Sequence, residues 1–418
     1  MTYQQLSVDS IPEYLSDIPE IGKIFSDFKH LKVSEIGDGN LNFVYLVTNR
    51  DRPRESAVLK QSVPYLRIIG KSWPLPKERM SIEIKALQKA AAWCPSHVPD
   101  IYHYSHDMCL VVMQDLSAHG VLRGRMIEGK VFPKLADHVS TYLAETLFHT
   151  SDLYLDHRQK KELVAEFINI DLCKITEDFV FTHPYERNQT NVYNPELNEV
   201  DLNFIHLDCD LKIAVADMKR KFMTETQALI HGDLHTGSIM ANTEETYIID
   251  PEFAFFGPMG FDIGAILGNV LMSYFSHEYR QIKLGREPYS YRKWLLDTVE
   301  NIWNYFVEKF NRLWMEHEVS RKNLYWDYEY GEEHFKCQRE IYLQNLFQDS
   351  LGFAACKMMR RILGLAKVAD IADIEDNKER AKIERMTLQM GKKLVTERTQ
   401  FHTIQEIIEL AKDLSPLK

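Results

Sequence analysis

Cysteine is sparse in this chain. The six that occur (Cys94, Cys109, Cys173, Cys209, Cys337 and Cys356) are scattered and include no CxxC pair. Such a scatter builds no disulfide framework, and reduced thiols in a cytoplasmic protein are the natural reading. Positive charge is also short: 50 Lys and Arg against 61 Asp and Glu leave a formal charge of -11. A general binder of nucleic acid or of an anionic membrane needs a basic face, so neither partner is expected. A nucleotide site survives this exclusion, because phosphate recognition needs only a few local donors and a metal. No uncharged apolar run is long enough to span a bilayer. Met1-Thr2-Tyr3-Gln4-Gln5 carries neither a basic segment nor an apolar run, so no signal peptide is expected. Internal repeats and low-complexity tracts are lacking as well.

The composition that remains is that of a globular protein, with 45% hydrophobic and 27% charged residues. At 418 residues the chain exceeds the usual single domain, and two lobes are expected. The first third reads as strand and turn. Val33-Ser34-Glu35-Ile36, Phe43-Val44-Tyr45-Leu46-Val47, Ser56-Ala57-Val58-Leu59-Lys60-Gln61 and Leu110-Val111-Val112-Met113 have strand character. Residues 78–93 have helical periodicity, with Met80, Ile84, Leu87 and Ala91 on one face. Helical patterns then dominate, over 132–156, 158–168, 210–226, 261–277, 289–316, 336–367 and 377–395, while the polar stretch 182–203 reads as a long loop. The expected fold class is α+β: a small five-stranded antiparallel-sheet lobe over residues 1–115, then a larger, mainly helical lobe over 116–418.

The chemistry concentrates in His231-Gly232-Asp233-Leu234-His235-Thr236-Gly237-Ser238 and Asp250-Pro251-Glu252-Phe253. Apolar pairs flank the first segment, and Tyr247-Ile248-Ile249 runs into the second, so both are loops at the ends of short strands. A catalytic loop followed by a metal loop is the pattern of an ATP-dependent phosphotransferase. Asp233 is the expected base for the acceptor hydroxyl. Asp250 is expected to join Mg²⁺ to the ATP phosphates. Glu252, on the same side of an extended segment, adds a second metal oxygen, and Pro251 fixes φ between the two. His231 and His235 stand at i, i+4, but the glutamate of a zinc HExxH is absent, and His231 is read as bracing the loop backbone. Upstream, Gly37-Asp38-Gly39-Asn40 sits between two strands, where Gly37, Gly39 and Asn40 offer backbone donors to the nucleotide. The same turn is also an ordinary hairpin signal. Lys60 ends the next strand and needs a carboxylate to fix it, with Glu83 the first choice and Glu78 the second. Gln114-Asp115-Leu116, where an apolar strand breaks, suits a hinge that reads the adenine edge.

Taken with Gly70-Lys71-Ser72-Trp73-Pro74-Leu75 and Met359-Arg360-Arg361-Ile362-Leu363, these segments resemble the protein-kinase-like small-molecule kinases, which include aminoglycoside and choline phosphotransferases. Within that family the chain is similar to the branch that acts on 5-methylthioribose. The likeness runs from residue 37 to 366 in family order. It implies a protein-kinase-like two-lobed fold, a homodimer, and transfer from ATP to the anomeric hydroxyl of the sugar in methionine salvage. It also implies that Arg360 and Arg361 bind the sugar and that Trp73 lies on a loop closing over it. Neighbouring helix residues diverge by about 100°, so one arginine faces the ring, and Arg361 is favoured. Ser238 stands where most of the family has a metal-binding Asn, which shifts metal duty to Asp250 and Glu252. Alternative acceptors are aminoglycosides, choline and homoserine, and the arginine pair opposes the cationic ones. A nucleotide-binding protein without turnover is opposed by Lys60, Asp233, Asp250 and Glu252 all being in place.

Overall fold

The computed structural model of the protein describes the chain apart from residues 1–2, 37–40, 66, 68–69, 71, 319–331 and 418. The chain forms two compact units, Met1–His119 with Tyr247–Ala254, and Gly120–Thr246 with Phe255–Lys418.

The first unit is built on an antiparallel sheet of β1 (Leu31–Glu35), β2 (Asn42–Asn49), β3 (Ser56–Ser62), β4 (Ile101–Ser105) and β5 (Leu110–Gln114), in the order β1-β2-β3-β5-β4. Strand side chains alternate between faces, and both faces of this sheet are covered. Ala57, Leu59, Leu110 and Val112 join a core with Leu6, Ile11, Leu15 and Phe25. Val58, Val111 and Met113 pack instead against Met80 and Ile84 of α1 (Arg79–Trp93). The register that turns Val58 toward α1 therefore turns Lys60 the same way. A slip of one residue would carry the lysine to the opposite face.

The second unit is mainly helical: α2 (Leu122–Ile127), α3 (Leu135–His149), α4 (His157–Glu166), α5 (Ile170–Phe181), α6 (Glu199–His206), α7 (Cys209–Thr224), α8 (Gly260–Lys283), α9 (Tyr289–Glu318), α10 (Glu332–Leu363), α11 (Asn377–Thr396) and α12 (Ile404–Leu414). The fold class is thus the α+β expected, an antiparallel-sheet unit and a larger helical one. Four of these helices depart from the sequence reading. The stretch expected as one long loop contains α6, whose start is a reciprocal cap: Asn198 Oδ1 accepts from Val200 and Asp201, and Asp201 accepts from the Asn198 amide. Helices α2, α5 and α12 were not expected either. No helix among the described residues is long and apolar enough to cross a membrane.

The helices that carry the chemistry are packed unusually close. A Cβ at Gly264 of α8 would stand 2.3 Å from the Ser350 carbonyl oxygen and 2.6 Å from the Ala354 nitrogen of α10. Gly260 and Gly268, one helical step to either side, meet the same helix. Missing side chains along this seam let the two backbones approach and fix α10 against the start of α8.

Candidate active site

In the first unit, Lys60 Nζ lies 2.7 Å from Glu83 Oε1, and both side chains are buried. Lys60 also ion-pairs with Asp250. Of the two carboxylates considered for it, Glu83 is taken, while exposed Glu78 pairs with Lys77 at 2.5 Å. Asp250 adopts φ +69°, a left-handed conformation that Asp tolerates better than most residues. Pro251 follows it and is buried. Glu252 accepts from Asn42 Nδ2 at 2.9 Å and lies 3.4 Å from Arg79 Nε. Arg79 is itself pinned by Leu41, Val63 and Pro76 carbonyls and by Asn42 Oδ1.

Glu83, Asp250 and Glu252 each offer a carboxylate oxygen within 4.8 Å of the others. Burial pulls the Lys60 ammonium down, but Asp250, Glu83 and Glu252 outweigh it and hold it above its ordinary value. Burial pushes Glu83 up to about 8 against the pull of Lys60, and pushes Glu252 up with help from Asp250. Three carboxyl groups crowd one ammonium, and besides burial their mutual repulsion, which a cation would relieve, keeps two of them raised. Such a set fits a hard divalent cation such as Mg²⁺.

Other expected residues also fall in this unit. Gln114 closes β5 opposite Ala57, Asp115 caps the turn by accepting from Ser117 at 2.8 Å, and Leu116 is buried. Half-buried Trp73 donates its amide to the Gly70 carbonyl at 3.1 Å, and Pro74 bridges to Tyr65. Gly37, Gly39 and Asn40 lie outside the described residues.

In the second unit, the loop 231–238 leaves strand Ala228–Ile230 and is held from below by Asp262 of α8. Its carboxylate accepts from the amides of His231 at 2.6 Å and Gly232 at 3.0 Å. Gly232 takes φ +82°, a turn that a Cβ would strain. His231 Nδ1 accepts from the Asp233 amide at 3.3 Å, the bracing role expected of it. Asp233 Oδ1 then meets Lys357 Nζ at 2.8 Å and Arg360 at 3.5 Å, while Oδ2 meets His235 Nε2 at 3.4 Å. His235 Nδ1 accepts from the Gly237 amide at 3.1 Å, which leaves the ring proton on Nε2, toward Asp233. Burial alone would raise the Asp233 carboxyl, but Lys357, His235, Arg360 and Arg361 hold it well below the usual range. Ser238 Oγ donates to the Asp233 carbonyl at 3.0 Å. Arg361 turns elsewhere, to the Ala366 carbonyl at 3.1 Å. Arg123, which pairs with Asp370 at 2.9 Å, flanks Gly237.

The structure thus brings Lys60, Glu83, Asp250 and Glu252 together in one unit, and Asp233 with Arg360 in the other. Sequence reasoning missed Lys357, Asp262, Arg123, Arg79 and Asn42. One signal was available: 357 and 360 stand at i, i+3 on a helix, so whatever faces Arg360 faces Lys357 as well.

The sequence model of the phosphotransferase enzyme family matches residues 32–289. Methylthioribose kinase 1 of Oryza sativa subsp. japonica is 40% identical over 410 residues, covering 97% of this chain and 94% of that protein. Methylthioribose kinase of Geobacillus sp. (strain WCH70) is 40% identical over 389 residues, covering 93% and 91%. Among solved structures, choline kinase from Cryptosporidium parvum Iowa II superposes with a TM-score of 0.50 at 11% identity, over 98% of this chain and 99% of that one, a likeness of fold.

Proposed function

This chain belongs to the phosphotransferase enzyme family, among its methylthioribose kinases, and from that premise we propose that it transfers the γ-phosphoryl group of ATP to the anomeric hydroxyl of 5-methylthio-D-ribose, giving the 1-phosphate used in methionine salvage. The observation that carries the reading is that the first unit holds Lys60 and Glu83, both buried, with Asp250 and Glu252, while the second holds a cation-surrounded Asp233.

Lys60, fixed by Glu83, contacts the α- and β-phosphates. Asp250 and Glu252 hold Mg²⁺, which when bound supplies charge neutralisation to the phosphates. Gly37, Gly39 and Asn40 are assigned to the phosphates as backbone donors, and the segment Gln114-Asp115-Leu116 to the adenine edge. Asp233 orients the anomeric hydroxyl and takes its proton as the new C1–O–P bond forms and the bond from the γ-phosphorus to ADP breaks. A carboxylate held this far down is a weak base, so it acts chiefly by position and by receiving a proton already leaving. Arg360, the arginine nearer Asp233, contacts the ring oxygens, while Arg361 supports the end of α10. Trp73 covers the sugar from its loop. The same kinship supports a homodimer working in the cytoplasm, where its nucleotide is abundant.

The test is ADP release measured across 5-methylthioribose, choline, an aminoglycoside and homoserine. Turnover with methylthioribose at least 100-fold above the others is the expected result. A preference for choline or the aminoglycoside would move the chain to another acceptor class.

A further inference from the structure

We propose that Lys357 is a positioning residue for the Asp233 base, its ammonium holding one carboxylate oxygen so that the carboxylate stays ionised and aimed at the acceptor hydroxyl. The proposal rests on the assignment of Asp233 above and deepens it.

A lysine in this place is not cheap. Lys357 sits on α10 among Cys356, Met358 and Met359, all fully buried, and is itself 3% exposed. An unpaired ammonium there would cost several kcal/mol, so the position is occupied only because a partner repays it. That partner is Asp233, at 2.8 Å, and the Phe261 ring of α8 lies 4.3 Å from the ammonium. The groups facing Lys357 come from three elements. Asp233 and His235 belong to the catalytic loop, Asp262 to α8, and Arg360 and Arg361 to its own helix. Asp262 gives its two oxygens to the amides of His231 and Gly232. His235 presents a ring N–H to the other Asp233 oxygen. Lys357 and His235 therefore grip the carboxylate from its two ends and fix its plane, while the glycine seam of α8 and α10 fixes where the lysine begins.

A purely structural lysine would leave the chemistry indifferent to its charge. Here the charge matters, because an anionic base working beside an anionic γ-phosphate needs a cation next to it. Burial, eased by Asp233, pulls Lys357 down to about 8. The pair is therefore made at lower pH and lost as pH rises through that value, so kcat/KM for the sugar should carry an alkaline limb there. The arginines nearby do not titrate in that range.

The experiment measures kcat and kcat/KM for methylthioribose at saturating Mg-ATP, from acid to alkaline pH, in wild type, Lys357→Met, Lys357→Arg and Asp233→Asn. Circular dichroism checks each fold. Wild type should show the limb near 8. Lys357→Met should lose on the order of 100-fold in kcat with the sugar KM changed less than about threefold. Lys357→Arg should recover part of kcat and lack the limb, since its charge persists. A limb that survives in either folded variant overturns the proposal, as does Lys357→Met turning over within about threefold of wild type. In both cases an inactive Asp233→Asn still leaves Asp233 as the base. Active Asp233→Asn sinks the base assignment and this proposal together. If neither lysine variant folds, wild type decides alone: no alkaline limb, no positioning charge.

Discussion

Arg360 and Arg361 are adjacent in the chain and yet meet different partners. About 100° of helical rotation separates them, enough to send one guanidinium toward Asp233 and the other to the Ala366 carbonyl. Replacing each with Met keeps length and helix propensity while removing the charge. Arg360→Met should lower kcat/KM for the sugar by about 10- to 100-fold and spare the ATP Kd. Arg361→Met should cost less activity and more thermal stability, because the Ala366 carbonyl loses its donor. Steady-state kinetics and calorimetry together separate the two, and the reverse order would give the sugar to Arg361. At this scale the sequence was informative where a residue sits in a recognisable series. Turn, strand, Lys60 and helical Glu83 form such a series, and the structure joins the last two. Lys357 belonged to none. Its partner lies 124 residues away in sequence, and a lysine on a long helix reads as solvated until the fold buries it.

Elements were legible wherever burial imposes a single period. The long helices of the second unit and strands β2, β3 and β5 carry their pattern openly. Strand β4 was harder, since its residues are mostly half-buried and its register to β5 shifts between Ile101 and His103. Helix α6 hid in a polar stretch because its start depends on the cap between Asn198 and Asp201, a local signal outweighed by the surrounding Asn, Pro and Thr. The close packing of α8 on α10 was invisible, although Gly260, Gly264 and Gly268 recur at every fourth position. That seam makes a sharp contrast with Gly124, where a Cβ meets nothing within 4 Å. Gly264→Ala should destabilise by about 1–3 kcal/mol through overpacking, and should also depress activity, since α10 carries Lys357 and Arg360. Gly124→Ala, inside α2, should be neutral or stabilising by up to about 1 kcal/mol. Denaturant midpoints measure both. Equal effects would mean that the seam is not what sets the spacing.

For the whole molecule, composition did its work by exclusion. The acidic balance and the lack of a spanning apolar run made a nucleic-acid or membrane partner unexpected before any motif was read. What no linear reading supplies is which unit a short segment joins. Tyr247–Ala254 belongs with the sheet unit, so Asp250 and Glu252 reach Lys60 and Glu83 although they follow the catalytic loop in sequence. On the proposed reading the chemistry is divided between two compact units, with nucleotide and metal functions in one and acceptor activation in the other. The central claim of that division is that the phosphoryl group arrives on the anomeric oxygen of methylthioribose. Phosphorus NMR of the reaction with Mg-ATP tests it most directly. The account predicts a new phosphomonoester signal that appears as ADP forms and is split by the anomeric proton, as in a sugar 1-phosphate. A product whose phosphorus couples to another ring proton, or ADP released with inorganic phosphate alone, would contradict it.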